Sequence, residues 1–123
     1  MPFRGIRGAI TVDANTEDAI LGATLELLRE MVRENDVRSD DIASVIFTMT
    51  PDLDAVFPAA AGRDLPGWTH VPLMCMQEIP VPGALPRCVR ILMHINTPKA
   101  AMEIRHVYLG GATRLRPDLA SRS

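Results

Sequence analysis

Two arginines, a glutamate and a tyrosine carry the chemistry this chain has to offer. Arg7 lies in "FRGIRGAITV", Arg90 in "RCVRILMHINT" and Tyr108 in "IRHVYL". Glu78 is the sole formally charged residue of the long run "LPGWTHVPLMCMQEIPVPGALP". A guanidinium is a planar fork that donates two parallel hydrogen bonds to a carboxylate. Two such forks and a phenol therefore describe a receptor for a small carboxylate, and an isolated glutamate adds an acceptor. Taken singly, each of these residues is more commonly a surface or edge group than a ligand group. Taken together, they make a shared anion site the alternative reading.

Other chemistries find less support. Cys75 has no histidine partner identifiable by spacing, so a small buried thiol is the default for it. Cys75 and Cys88 form neither a CxxC nor a zinc pattern and read as free thiols. His70, His94 and His106 have no metal-ligand spacing among themselves. No phosphate-binding glycine loop, dinucleotide fingerprint, HExxH or GxSxG occurs. The net charge of −2 argues against a nucleic-acid surface, although the cations are twelve arginines and one lysine, Lys99. No stretch approaches the ~20 apolar residues of a membrane span. The opening "MPFRGIRG" lacks an apolar signal core, so a cytoplasmic protein is expected.

The elements that must position these residues follow from periodicity. At 123 residues the chain is read as a single domain, residues 1–123. In the first strand Arg4, Ile6, Gly8, Ile10 and Val12 share the inner face, which puts Arg7 on the other face between Gly5 and Ala9. "NTEDAILGATLELLREMVREND" predicts a helix capped by Asn15 or Thr16, with Ile20, Leu21, Thr24, Leu27, Leu28, Met31 and Val32 as its buried stripe. "SVIFTMT" is apolar on both faces and reads as a central strand. "THVPLMCM" reads as a second interior strand, and Pro58 as the start of a short helix. The prolines of "IPVPGALP" restrict it to a loop. In "RCVRILMHINT", Val89, Ile91, Met93 and Ile95 face the core while Arg90 faces away. Tyr108 also lies on the non-core face of the last strand. About five strands packed on one long helix define an α/β or α+β domain.

The stretches "RGIRGAITV", "TPDLDAVFPA", "VPLMCMQEIPVPGALPRCVRI" and "RHVYL…LRPDL" resemble the monofunctional chorismate mutases of the AroH class, in order and spacing, from Arg4 to Leu119. The resemblance implies a homotrimer forming a pseudo-α/β barrel, with active sites in clefts between subunits. It implies conversion of chorismate to prephenate without cofactor or metal. By the same resemblance Arg7 and Tyr108 bind the enolpyruvyl carboxylate. Arg90 binds that carboxylate and the ether oxygen, and Glu78 accepts the ring hydroxyl with Cys75 beside it. Phe57 covers the substrate from the neighbouring subunit. Arg63 and Arg116 line the entrance, and Leu115 closes against the ring.

Three positions depart from that pattern. Ala60 stands where many members have a lysine, Gly110-Gly111 replaces more helix-prone residues, and the tail after Leu119, a lid in the family, is short. The competing reading is a trimeric domain that binds small carboxylates without turnover. Retention of Arg7, Glu78, Arg90 and Tyr108 together favours the enzyme.

Overall fold

The computed structural model describes residues 2–63 and 65–120. The expected lid role of the tail falls mostly on residues 121–123, outside those described. The chain runs β1 (Phe3–Thr11), α1 (Glu17–Glu34), β2 (Ile42–Met49), α2 (Ala60–Arg63), β3 (Leu73–Gln77), β4 (Cys88–Asn96), β5 (Val107–Leu109) and α3 (Pro117–Ala120). One five-stranded mixed sheet results, in the order β3-β2-β4-β1-β5. β4 pairs antiparallel with β1 and β2, while β5 joins β1 and β3 joins β2 in parallel.

α1 begins at Thr16, whose hydroxyl accepts the Ala19 N–H at 3.2 Å and satisfies one of the first-turn donors. Asn15, the other candidate cap, is used elsewhere: its side chain binds Asp54 and accepts the N–H groups of Asp54 and Ala55. Ile20, Thr24, Leu27, Leu28 and Met31 form the buried stripe, flanked by the half-buried Leu21 and Val32. They pack on Ile6, Ile10, Val45, Phe47, Val89, Ile91, Met93 and Ile95 from one face of the sheet. Gly8 permits this approach, because a Cβ there would lie 2.4 Å from Met31 Sδ. At the far end of α1 the buried Asn35 donates to Met31 O and Arg105 O and accepts the Arg105 N–H, tying the helix to the segment that leads into β5.

One expectation is corrected. "THVPLMCM" supplies not an interior strand but β3, a five-residue strand at the sheet edge that hydrogen-bonds β2. Leu73 and Cys75 pack against the core, while on the other face Met74 is 56% and Met76 49% exposed. Apolarity on both faces signals burial inside a sheet only when both flanks of the strand are covered. The short helix also starts two residues later than Pro58 would place it, at Ala60. Among the described residues no helix is long and apolar enough to cross a membrane.

Candidate active site

The face of the sheet opposite α1 holds the site. Alternation along β1 and β4 turns Arg7, Ala9 and Arg90 to this face while Ile6, Ile10, Val89 and Ile91 enter the core. The registers then align a single row across all the strands: Met76, Thr48, Arg90, Ala9 and Tyr108. Ala9 sits between Arg90 and Tyr108, buried in a small cluster with Cys88, Tyr108 and Ala112. Arg7 stands two residues along β1 on the same face.

Glu78 is brought in from β3. Its N–H donates to Met49 O at 2.9 Å, which carries the β2–β3 pairing just past the strand end. Its Oε1 lies 2.5 Å from Arg90 Nε, with the Glu78 side chain 16% and the Arg90 side chain 44% exposed. The two side chains form an ion pair at the edge of the site. Sequence reasoning missed this pair: it assigned the two side chains to different parts of a ligand.

Two local devices hold Arg90 and Arg7 in place. Thr50 Oγ1 donates to Asp52 Oδ1 and accepts the Cys88 N–H, and the Asp52 carboxylate accepts the Arg87 N–H at 2.9 Å. This fixes the entry to β4 at Arg87, a non-glycine residue with φ of 46°. On the other side of β1, the Arg7 N–H donates to His106 Nδ1 at 2.9 Å.

Arg7, Glu78, Arg90 and Tyr108 line one cavity of about 290 Å³, together with Ile46, Thr48 and Leu92. Thr48 is a lining residue that sequence reasoning missed. The available signal was a hydroxyl two residues from Ile46, within the apolar run of residues 45–49. Glu78, Arg90 and Thr48 also border a second cavity of about 610 Å³ under the proline-rich loop. Phe57 and Cys75 are not brought to the arginines within the chain; they line a third space of about 680 Å³ with Leu53, Val56 and Met76. Arg63 ends α2, exposed and apart from these cavities. Leu115 packs against the cluster of Ala9, Cys88, Tyr108 and Ala112. Arg116 makes a two-pronged pair with Asp118, and that hydrogen bonding holds the Asp118 carboxyl below its ordinary value. Both cysteines are free. Burial pushes the Cys88 thiol up to about 11, against an opposing pull from Arg90. No group of three or more His, Cys, Asp or Glu side chains suited to a metal ion occurs among the described residues.

A mixed sheet is covered by a helix on one face and has two arginines, a glutamate and a tyrosine around a small cavity on the other, side chains whose chemistry suits a small carboxylate. Residues 3–119 match the family described as chorismate mutase type I, and the chain belongs to that family. It is 48% identical over 120 residues to chorismate mutase AroH of Bacillus subtilis (strain 168), spanning 98% of this chain and 94% of that protein. With chorismate mutase AroH of Thermus thermophilus the identity is 52% over 119 residues, or 96% and 97% of the two chains. A solved chorismate mutase from Clostridium thermocellum superposes with a TM-score of 0.87 at 55% identity, covering 89% of this chain and 97% of that one.

Proposed function

We propose that this protein rearranges chorismate to prephenate by holding the substrate's compact conformer and stabilising the charge that develops on its ether oxygen. As a member of its family the chain is a chorismate mutase, an isomerase. The convergence of Arg7, Glu78, Arg90 and Tyr108 on one cavity carries the reading of mechanism. Chorismate has two carboxylates, a ring hydroxyl and an ether oxygen. Its rearrangement is intramolecular and pericyclic, so no protein nucleophile or proton transfer is needed. What the protein supplies is orientation and a preorganised field. Arg7 and Tyr108 bind the enolpyruvyl carboxylate. Arg90 spans that carboxylate and the ether oxygen, where negative charge grows as the C–O bond breaks. Glu78 accepts the ring hydroxyl. Because Arg90 and Glu78 hold each other in the free chain, substrate binding redirects Arg90 from Glu78 to the substrate.

The active unit in this reading is a homotrimer with a pseudo-barrel arrangement and sites between subunits. Phe57 from the loop before α2, Arg63 at the end of α2 and Cys75 of β3 then complete the site, and Leu115 and Arg116 border its entrance. The exposed apolar residues support it: Phe57 (71%), Ile79 (82%) and Val81 (59%) join Met74 and Met76 around the sheet edge at β3.

Purified protein is expected to abolish the absorbance of chorismate, and light scattering to give the mass of a trimer. Chains carrying Arg90→Ala, refolded together with chains carrying Phe57→Ala and Arg63→Ala, are expected to regain part of the activity lost by each. Chorismate binding without turnover would instead identify a carboxylate-binding domain. A fully active monomer would refute the shared site.

A further inference from the structure

Among the described residues, one buried side-chain oxygen lacks a hydrogen-bond partner: Thr48 Oγ1. Buried polar atoms are seldom left unpaired, and an exception calls for a reason. Thr48 is the cross-strand neighbour of Arg90 on β4 and of Met76 on β3. Glu78 follows two residues after Met76 and is anchored to β2 through Met49 O. Thr48 also borders both cavities that meet at Glu78 and Arg90. The hydroxyl therefore lies beside an ion pair and is hydrogen-bonded to neither member.

That balance changes when Arg90 turns to a substrate. Glu78, largely withdrawn from water, then loses its ionic partner, and a carboxylate left unpartnered in such a place is costly. We propose that Thr48 is a positioning residue whose hydroxyl donates to the Glu78 carboxylate once Arg90 leaves it. Glu78 thereby keeps the orientation in which it accepts the substrate's ring hydroxyl. A β-branched side chain suits this task, because its χ1 occupies few wells and the hydroxyl has few directions to explore. The inference rests on the reading of the site given under Proposed function.

Thr48→Val and Thr48→Ser in the full chain test it, with kcat and KM for chorismate and melting temperature measured for each. Valine keeps the shape and replaces an unpaired hydroxyl by a methyl group, so Thr48→Val is expected to melt no lower than the parent. Its kcat/KM is expected to fall roughly 10- to 100-fold, the size of a lost hydrogen bond to a charged group. Thr48→Ser is expected to stay within about threefold of the parent in kcat/KM, since it keeps the donor. In a Glu78→Ala background the Thr48→Val change is expected to have no further effect, because the acceptor is gone. Parental kinetics in Thr48→Val, equal losses in the Val and Ser variants, or additive losses in the double variant would each overturn the proposal. Failure of the parent chain itself to consume chorismate would overturn the functional reading instead, and is seen before any variant is compared.

Discussion

The main-chain N–H of Arg7 is held by the ring of His106, Nδ1 accepting it at 2.9 Å. β5 is only three residues long and joins β1 from Gly8 onward. The imidazole therefore extends a short ladder by one bond and sets Arg7 against Tyr108, two residues beyond it. His106→Ala is expected to raise KM for chorismate more than it lowers kcat, because in the proposed mechanism both residues bind the same carboxylate. His106→Asn, whose amide oxygen can accept the same N–H, is expected to recover part of the loss. Steady-state kinetics of the two variants, compared at equal folded fraction, check this.

Arg90 is expected to be the most sensitive position for turnover. Removing one preorganised donor to a developing oxyanion costs on the order of 3–4 kcal/mol, or 10²- to 10³-fold in rate. Arg90→Ala is expected to lose at least that. Arg90→Lys is expected to remain poor, because an ammonium cannot span the carboxylate and the ether oxygen together. Near-parental kcat/KM in Arg90→Lys would show that the fork geometry is irrelevant.

Since no proton moves in the bond changes, kcat/KM is expected to be flat from about pH 6 to 9, without the bell that an acid–base pair produces. Rates in deuterium oxide are expected to match those in water. Glu78→Gln, which keeps an acceptor, is expected to retain more activity than Glu78→Ala. A neutral-pH bell with a large solvent isotope effect on the chemical step would require a different mechanism.

Gly8 is the point of closest approach between sheet and helix. A Cβ there meets Met31 Sδ at 2.4 Å and Leu27 Cδ1 at 3.2 Å, and both side chains are fully buried. Gly8→Ala is therefore expected to destabilise the chain by about 1–3 kcal/mol, the usual size of overpacking. A lowered urea midpoint with an unchanged m-value is the measurement.

Cys88 is expected to resist alkylation in the folded protein at pH 8, because the thiolate is the reactive form and burial pushes the thiol from 9.0 up to about 11. The linked stability runs the same way. The folded state keeps the proton longer than the unfolded chain does. Stability is therefore fully present below pH 9 and is lost as pH rises toward 11, by at most about 1.4 kcal/mol per pH unit. Urea titrations across that window are expected to show a decline that Cys88→Ala lacks.

Much of this arrangement was legible in the chain. The alternation of "FRGIRGAIT" and "CVRILMHIN" puts Arg7 and Arg90 on one face and their aliphatic neighbours on the other, and the structure keeps both faces. The stripe of α1 was equally plain, because packing against a sheet demands it. Less legible was whatever depends on which strands become neighbours. The Glu78–Arg90 contact and the row through Thr48 arise from β2 lying between β3 and β4, and no local pattern encodes that order. β3 misled for a related reason: its apolar run lies at the sheet edge, where Met74 and Met76 are exposed. Phe57 and Cys75 line a different cavity from the arginines, a separation that periodicity does not encode.

The cross-strand row through Arg90 has a consequence for manufacture of the molecule. Side chains of a strand alternate, so a slip of β4 by one residue against β1 would drive Arg90 into the hydrocarbon interior and present Ile91 in its place. A slip by two residues would keep Arg90 on its face but set it against neighbours other than Thr48 and Ala9. Specific activity after refolding is therefore expected to report strand register, which a spectroscopic measure of strand content does not.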